Sequence, residues 1–269
     1  MAVRVRPPAV AGAFYPGSPG TLRSAVEGFL REAPASSAAP PKAPKGIIAP
    51  HAGYVYSGPI AGSAFQAVAP AARSIEKVIL LGPAHFVPFR GLALPDSQRF
   101  ETPLGEVVVD PPGAQACLRL PQVRVQPAAH AQEHSLEVEL PFLQILLGEE
   151  FSIVPLVVGD ADGEEVAEVL DQLWGGPETL IVISSDLSHY LPYEQAREAD
   201  RATADRILAL DGPLHGRQAC GARPINGLLV AARRRGLVPE LLDLRNSGDT
   251  AGDRDRVVGY GAFAFREAA

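Results

Sequence analysis

Four short apolar runs constrain this 269-residue chain more than any other feature: GIIA at 46–49, KVILLG at 77–82, FSIVPLVVG at 151–159 and TLIVISS at 179–185. They lack the polar alternation of a half-exposed strand, so each reads as a strand buried on both faces. Helical apolar spacing follows in 61–69, 135–147, 164–174, 194–210 and 225–236. Strands alternating with helices build a mainly parallel sheet covered on both sides, which predicts an α/β fold of three layers, α/β/α. The closing segment RVVGYGAFAF, at 256–265, alternates and carries glycines, so it suits a final antiparallel strand and makes the sheet mixed. Before the first run, Leu22, Val26, Phe29 and Leu30 form one apolar stripe of a short helix. The Pro, Ala and Ser-rich stretch 33–45 then reads as a surface connection. The length suits one α/β domain, 1–269.

Charge narrows the function classes. A formal net charge of −7 and a sequence pI near 5.4 argue against nucleic acid and anionic membrane as partners, since both demand a basic patch. Nearly all cations other than Lys42, Lys45 and Lys77 are arginine, a compositional bias that discounts single arginines as phosphate clamps. Neither a signal-peptide segment nor a run of 18 apolar residues is present, so the chain is expected in the cytoplasm. Cys117 and Cys220 are too few for a disulfide framework and read as free thiols or metal ligands.

Ligands of such sheets sit beyond the carboxyl ends of the strands. His51 follows GIIAP, His85 follows KVILLGPA, and Asp186 and His189 follow TLIVISS. Three strand ends therefore bring metal-capable groups to one edge of the sheet. His134 lies in QEHSLEVEL at the expected start of the helix 135–147; Glu133 and Glu137 could share its face, cap the helix or face solvent. Cys220 precedes a helix whose first turn includes Pro224, a position that lowers a thiol pKa and favours thiolate as nucleophile or soft ligand. Cys117 reads as a buried inert thiol, and His130 and His215 as surface residues. Asp186 reads either as the partner that fixes a histidine tautomer or as a cap, and Asp249 as a turn residue or a pocket acid. Tyr54, Tyr56, Phe86 and Tyr190, each near a site residue in sequence, are the candidates to wall a pocket for an aromatic ligand; core packing is the competing role.

In the order APHAGYVYSG, LGPAHFVP, EHSLEVELPFLQ, SSDLSHY and CGARPINGLL, the chain resembles the Memo family, named for mediator of cell motility. The resemblance runs from AGAFYPG near the start to GYGAFAF near the end. It implies a fold similar to the class III extradiol dioxygenases, non-haem iron enzymes that open catechol rings with two histidines and a glutamate on Fe(II). By this resemblance His51, His85 and Cys220 form the metal triad, with the cysteine in place of the glutamate, and His134 and His189 occupy the positions of pocket histidines. Thiolate in place of carboxylate softens the centre and admits Cu or Zn beside iron. The resemblance also implies an AMMECR-family protein and a radical SAM enzyme as pathway partners.

The expectation is a metal-dependent redox enzyme, with Fe(II) at His51, His85 and Cys220, acting on a small aromatic substrate with O₂. His189 and His134 would move protons, with Asp186 in support. Two alternatives belong to other classes: a non-catalytic metal- or peptide-binding adaptor, and a hydrolase with Cys220 as nucleophile and a histidine base. The sequence leaves a homo-oligomer open.

Overall fold

The computed structural model describes residues 3–34 and 43–268. Its strands are β1 (Val5–Arg6), β2 (Gly46–Ala49), β3 (Lys77–Pro83), β4 (Leu92–Leu94), β5 (Arg99–Thr102), β6 (Gly105–Val109), β7 (Val123–Val125), β8 (Ser152–Val158), β9 (Thr179–Ser184), β10 (His189–Leu191), β11 (Leu237–Asn246) and β12 (Val257–Glu267). Its α-helices are α1 (Pro19–Glu32), α2 (Tyr54–Gln66), α3 (Pro111–Cys117), α4 (Pro127–Ala131), α5 (Leu140–Leu147), α6 (Gly163–Leu173), α7 (Tyr193–Leu208) and α8 (Ala222–Arg235). None of the described helices is long and apolar enough to cross a membrane. Most of the stretch 33–45 lies outside the described residues.

The four apolar runs are β2, β3, β8 and β9, and they lie side by side in the order β8-β3-β9-β2, all parallel. β6 extends this parallel block beyond β8, and β12 closes the other side antiparallel to β2, as its alternation predicts. The result is a large mixed, mostly parallel sheet flanked by helices. Within each central strand, successive side chains go to opposite faces. Val78, Leu80, Leu180 and Val182 pack with α1, α2 and α5, whereas Ile79, Leu81, Ile181 and Ile183 pack with α6 and α8. All eight are at most 1 % exposed, and such burial contributes roughly 1.5–3 kcal/mol per side chain.

Among the elements that depart from the expected pattern, three show why. The helix expected at 61–69 begins at Tyr54, directly after the first histidine segment. Its glycines and Pro59 hide it from propensity, yet they serve packing: a Cβ on Gly58 would lie 2.5 Å from the Phe29 ring, and one on Gly62 would lie 2.6 Å from the Phe29 carbonyl oxygen. The helix expected at 135–147 is regular only from Leu140; Glu137–Glu139 form a 3₁₀ turn whose three side chains are all buried. Finally, β11 escapes detection because LVPELLDLRN carries no clean period of two, and its pairing with β12 sets it instead.

Candidate metal centre

The registers place the carboxyl ends of β2, β9 and β3 nearly level, Ala49 opposite Ser184 and Leu81 opposite Ile183. His51 follows β2 by two residues, Asp186 follows β9 by two, and His85 follows β3 by two. β2 and β3 are separated by β9, so their ends stand about 10 Å apart. The two imidazoles lean over the middle strand until their ring centroids are 5.2 Å apart. His134, from the segment between α4 and the 3₁₀ turn, stacks on His85 at 4.7 Å and lies 5.5 Å from His51. One nitrogen from each of His51, His85 and His134 falls within 4.8 Å of the others, a group that could hold a metal ion.

The neighbours of His51 and His85 orient their rings. His51 Nδ1 is 2.7 Å from Ser184 Oγ, and that hydroxyl donates to the Ser135 carbonyl at 2.6 Å. The Ser184 proton being so used, its oxygen accepts from Nδ1–H, and His51 Nε2 keeps its lone pair. Glu139 Oε1 lies 2.8 Å from the same hydroxyl. Burial holds the Glu139 carboxyl well above the usual range, so this wholly buried acid is neutral. His85 Nδ1–H donates to Glu133 Oε1 at 2.8 Å, its backbone N–H donates to Glu133 Oε2 at 2.6 Å, and Ser135 N–H adds a third bond at 2.9 Å. Burial alone would raise the Glu133 carboxyl, but these hydrogen bonds and its favourable electrostatic interaction with His85 outweigh it and hold the pKa down at about 2. Glu133 is thus neither a helix cap nor a solvated charge: it is a carboxylate that orients a histidine and leaves Nε2 exposed to a metal.

Burial lowers the pKa of His51, His134 and His189. The His51 pKa lies well below the ordinary value because of burial, then repulsion from His85, His134 and His189. Neutral rings are what a metal ion needs. His134 Nδ1 is buried without a hydrogen-bond partner. The donor set of imidazole nitrogens with a thiol nearby suits iron, copper or zinc.

Cys220 Sγ lies 3.3 Å from His51 Nε2 and accepts from the Asp186 backbone N–H at 3.3 Å. Its pKa reverses the expectation: burial, then the Asp186 charge, push the thiol up to about 12, outweighing the backbone N–H groups aimed at it. Of the two roles open to Asp186, its contacts are those of a residue that caps a turn. Its Oδ1 accepts the His51 backbone N–H at 2.9 Å and so pins the loop, while Ser184 sets the ring tautomer. Burial pushes Asp186 up to about 7.

A cleft of about 610 Å³ opens over the histidines and reaches Asp186, His189, Tyr56 and Tyr190. Tyr54 is not part of this wall. It is 2 % exposed, packs against Phe29 and Phe142, and donates its hydroxyl to the Val138 carbonyl. Phe86 is over half exposed, its ring 6.0 Å from His134. His130, expected at the surface, is 2 % exposed, because its Nε2–H donates to the Ala93 carbonyl inside the core; His215 is exposed. Cys117 is fully buried, as expected. Glu137 faces away from His134, pairing with Arg6 at 2.7 Å and accepting from Tyr15 Oη and the Ala9 and Val10 backbone. Asp249 is a turn residue bonded to Tyr193 Oη and the Asn246 backbone. Sequence reasoning missed Ser184 and Glu139 altogether; the only signal for Ser184 was a hydroxyl at the end of an otherwise aliphatic strand.

Fold and site together define a class: an α/β protein with a mostly parallel sheet that gathers a histidine cluster able to bind metal at its strand ends. The chain belongs to the Memo-like protein family, whose model matches residues 6–264. It is 38% identical to a MEMO1 family protein of Methanopyrus kandleri over 97% of this chain and 99% of that one. It is 35% identical to a MEMO1 family protein of Aquifex aeolicus (98% and 100% covered) and 35% identical to one of Nitrosopumilus maritimus (97% and 99%).

Proposed function

We propose that this protein is a metal-dependent redox enzyme of dioxygenase type, with iron as its metal and a small aromatic compound as the substrate oxidised by O₂. The reading includes the three-layer α/β/α sandwich of the class III extradiol enzymes as its fold. The observation that carries it is the paired orientation of His51 and His85, each with Nδ1–H committed to a protein acceptor, so that the His51 Nε2 is directed at Cys220 Sγ, at the floor of an open cleft.

His51 and His85 would hold the metal through Nε2, with Cys220 as third ligand; its Sγ sits at a separation from His51 Nε2 that suits two ligands of one ion. Metal binding would displace the thiol proton, which is how a thiol raised to about 12 becomes a ligand at neutral pH. When bound, the metal supplies Lewis acidity and a place for O₂ beside the substrate. His189 and His134, held neutral by burial, are suited to take a proton from a substrate hydroxyl. Asp186 holds the His51 loop in place. Tyr56 and Tyr190 offer ring faces to a planar substrate, while Phe86 stands near the mouth. The high thiol pKa weighs against the hydrolase alternative, which needs thiolate without a metal.

A second reading makes His134 the third ligand, favoured by the convergence of the three imidazoles. Metal analysis after anaerobic Fe(II) reconstitution separates the two. Loss of iron in Cys220→Ser with retention in His134→Ala supports the thiolate, and the reverse supports the three-histidine centre. His51→Ala and His85→Ala should both lose iron; full metal content in both would refute the centre. His189→Ala should keep iron and lose O₂ uptake. Peptide binding by protein carrying no metal, without O₂ consumption at any substrate, would support the adaptor role instead.

A further inference from the structure

The cleft wall formed by β10 is built with some strain. β10 pairs antiparallel with β12, but its register slips between His189 and Leu191, and the residue at the slip, Tyr190, has φ of +60°. A non-glycine residue in the left-handed region costs energy and needs a compensating reason. In a regular strand, consecutive side chains face opposite sides. Here the bulge lets both His189 and Tyr190 line the same cleft, their rings 5.8 Å apart. Such bulges re-aim side chains beside active sites. Packing does not explain the arrangement, because Tyr190 is 61 % exposed.

Arg256, immediately before β12, also lines the cleft, and its guanidinium lies 5.1 Å from the centre of the Tyr190 ring. Among the described residues, no side-chain hydrogen bond or ion pair engages this guanidinium. The two acids nearest in sequence, Asp255 next to it and Asp253 three residues before it, make no ion pair with it, and Asp253 Oδ1 accepts instead from the Asp255 and Arg256 backbone N–H groups. Asp186, deeper in the cleft, takes the His51 backbone N–H. Arg256 is thus a cation without an anion, stacked on an exposed aromatic ring at the edge of a cavity.

We infer that Arg256 and Tyr190 form a specificity subsite for a carboxylate, so that the substrate is a small aromatic acid and not a neutral phenol. The inference rests on the functional reading above and names its substrate class. The planar fork of arginine matches a carboxylate bidentately, and stacking on Tyr190 holds the fork in register. Tyr190 and Tyr56 would contact the ring of the same substrate. One guanidinium neutralises a monoanion, whereas a dianionic phosphate would bring surplus negative charge beside Asp253 and Asp186.

The test compares two probes of the same ring, 3,4-dihydroxybenzoate and catechol, by calorimetry on anaerobic Fe(II)-loaded protein whose metal content is measured on the same sample. Wild type should bind the carboxylated probe at least tenfold more tightly. Arg256→Gln should lose that advantage, keep its affinity for catechol and keep its iron; Arg256→Lys should recover only part of it, since a point charge lacks the fork. Tyr190→Gly, which accepts the positive φ, should weaken both probes. Equal affinity of wild type for the two probes, equal loss for both in Arg256→Gln, or no binding of the carboxylated probe at millimolar concentration would overturn the inference. Failure of the redox reading shows differently: absent iron or absent O₂ uptake, with the contrast between the probes intact.

Discussion

Replacing Glu133 by glutamine tests how the protein prepares a histidine to bind metal. The two Glu133 oxygens take three N–H groups, from the His85 ring, the His85 backbone and Ser135. Glutamine has one carbonyl oxygen and turns an NH₂ toward the donors at the other position, so at least one N–H must face another donor. The displacement of the carboxyl from its ordinary 4.5 to about 2 corresponds to about 3 kcal/mol of preference for the charged form. A hydrogen bond to a charged group contributes about 1.5–3 kcal/mol net, the same order as that figure. Glu133→Gln should therefore destabilise the fold by about 2–3 kcal/mol and weaken metal binding ten- to a hundredfold, because His85 loses its orienting partner. The sign with pH follows from a lowered carboxyl: the Glu133 contribution is complete above about 4.5 and is lost as pH falls toward about 2. Urea unfolding between these pH values should show a steeper acid loss in wild type than in the variant. Competition with a chromophoric chelator gives the metal affinity, and a variant within twofold of wild type would refute the reasoning.

Other perturbations probe the frame around the site. Arg6→Leu leaves the buried Glu137 carboxylate without its cation and should cost about 3–5 kcal/mol in urea unfolding, and adding Glu137→Leu should recover little of it, since Tyr15 Oη and the Ala9 and Val10 N–H groups then lose their acceptor; full recovery would show that the ion pair alone matters. Gly62→Ala should destabilise by about 1–3 kcal/mol although alanine is the better helix former, since the new Cβ meets the Phe29 backbone; a more stable variant would show that α1 can shift. Asp186, with a folded pKa near 7 against an ordinary 3.8, favours folding while protonated and costs stability as pH rises through that interval. Asp186→Asn should flatten this dependence and retain metal, since its amide oxygen can still accept the His51 N–H; abolished metal binding would show a more direct role.

Much of this was legible in residues close together in sequence. The aliphatic runs become the central parallel strands because only a strand buried on both faces is apolar at every position, as Val78, Ile79, Leu80 and Leu81 are. The short strands outside the central block were harder to read: β5 and β6, around TPLG, alternate weakly, and β4 and β7 have three residues each. The start of α2 was hidden by glycines that are there for Phe29, not for the helix. His130 in its polar segment looked like a surface residue, yet the Ala93 carbonyl, 37 residues away, accepts its ring proton and permits burial.

The sequence by itself determined the class of fold and the places where His51, His85 and Asp186 leave it, because strand periodicity and the chain direction after each strand are local properties. The tertiary structure alone decided which nitrogen of each ring is free, that Cys220 meets His51, that Glu137 serves Arg6, and that a bulge turns Tyr190 toward Arg256. Those outcomes depend on partners tens to well over a hundred residues apart and on the burial that sets their charge. Neither separation in space nor desolvation is written in a local pattern of residues.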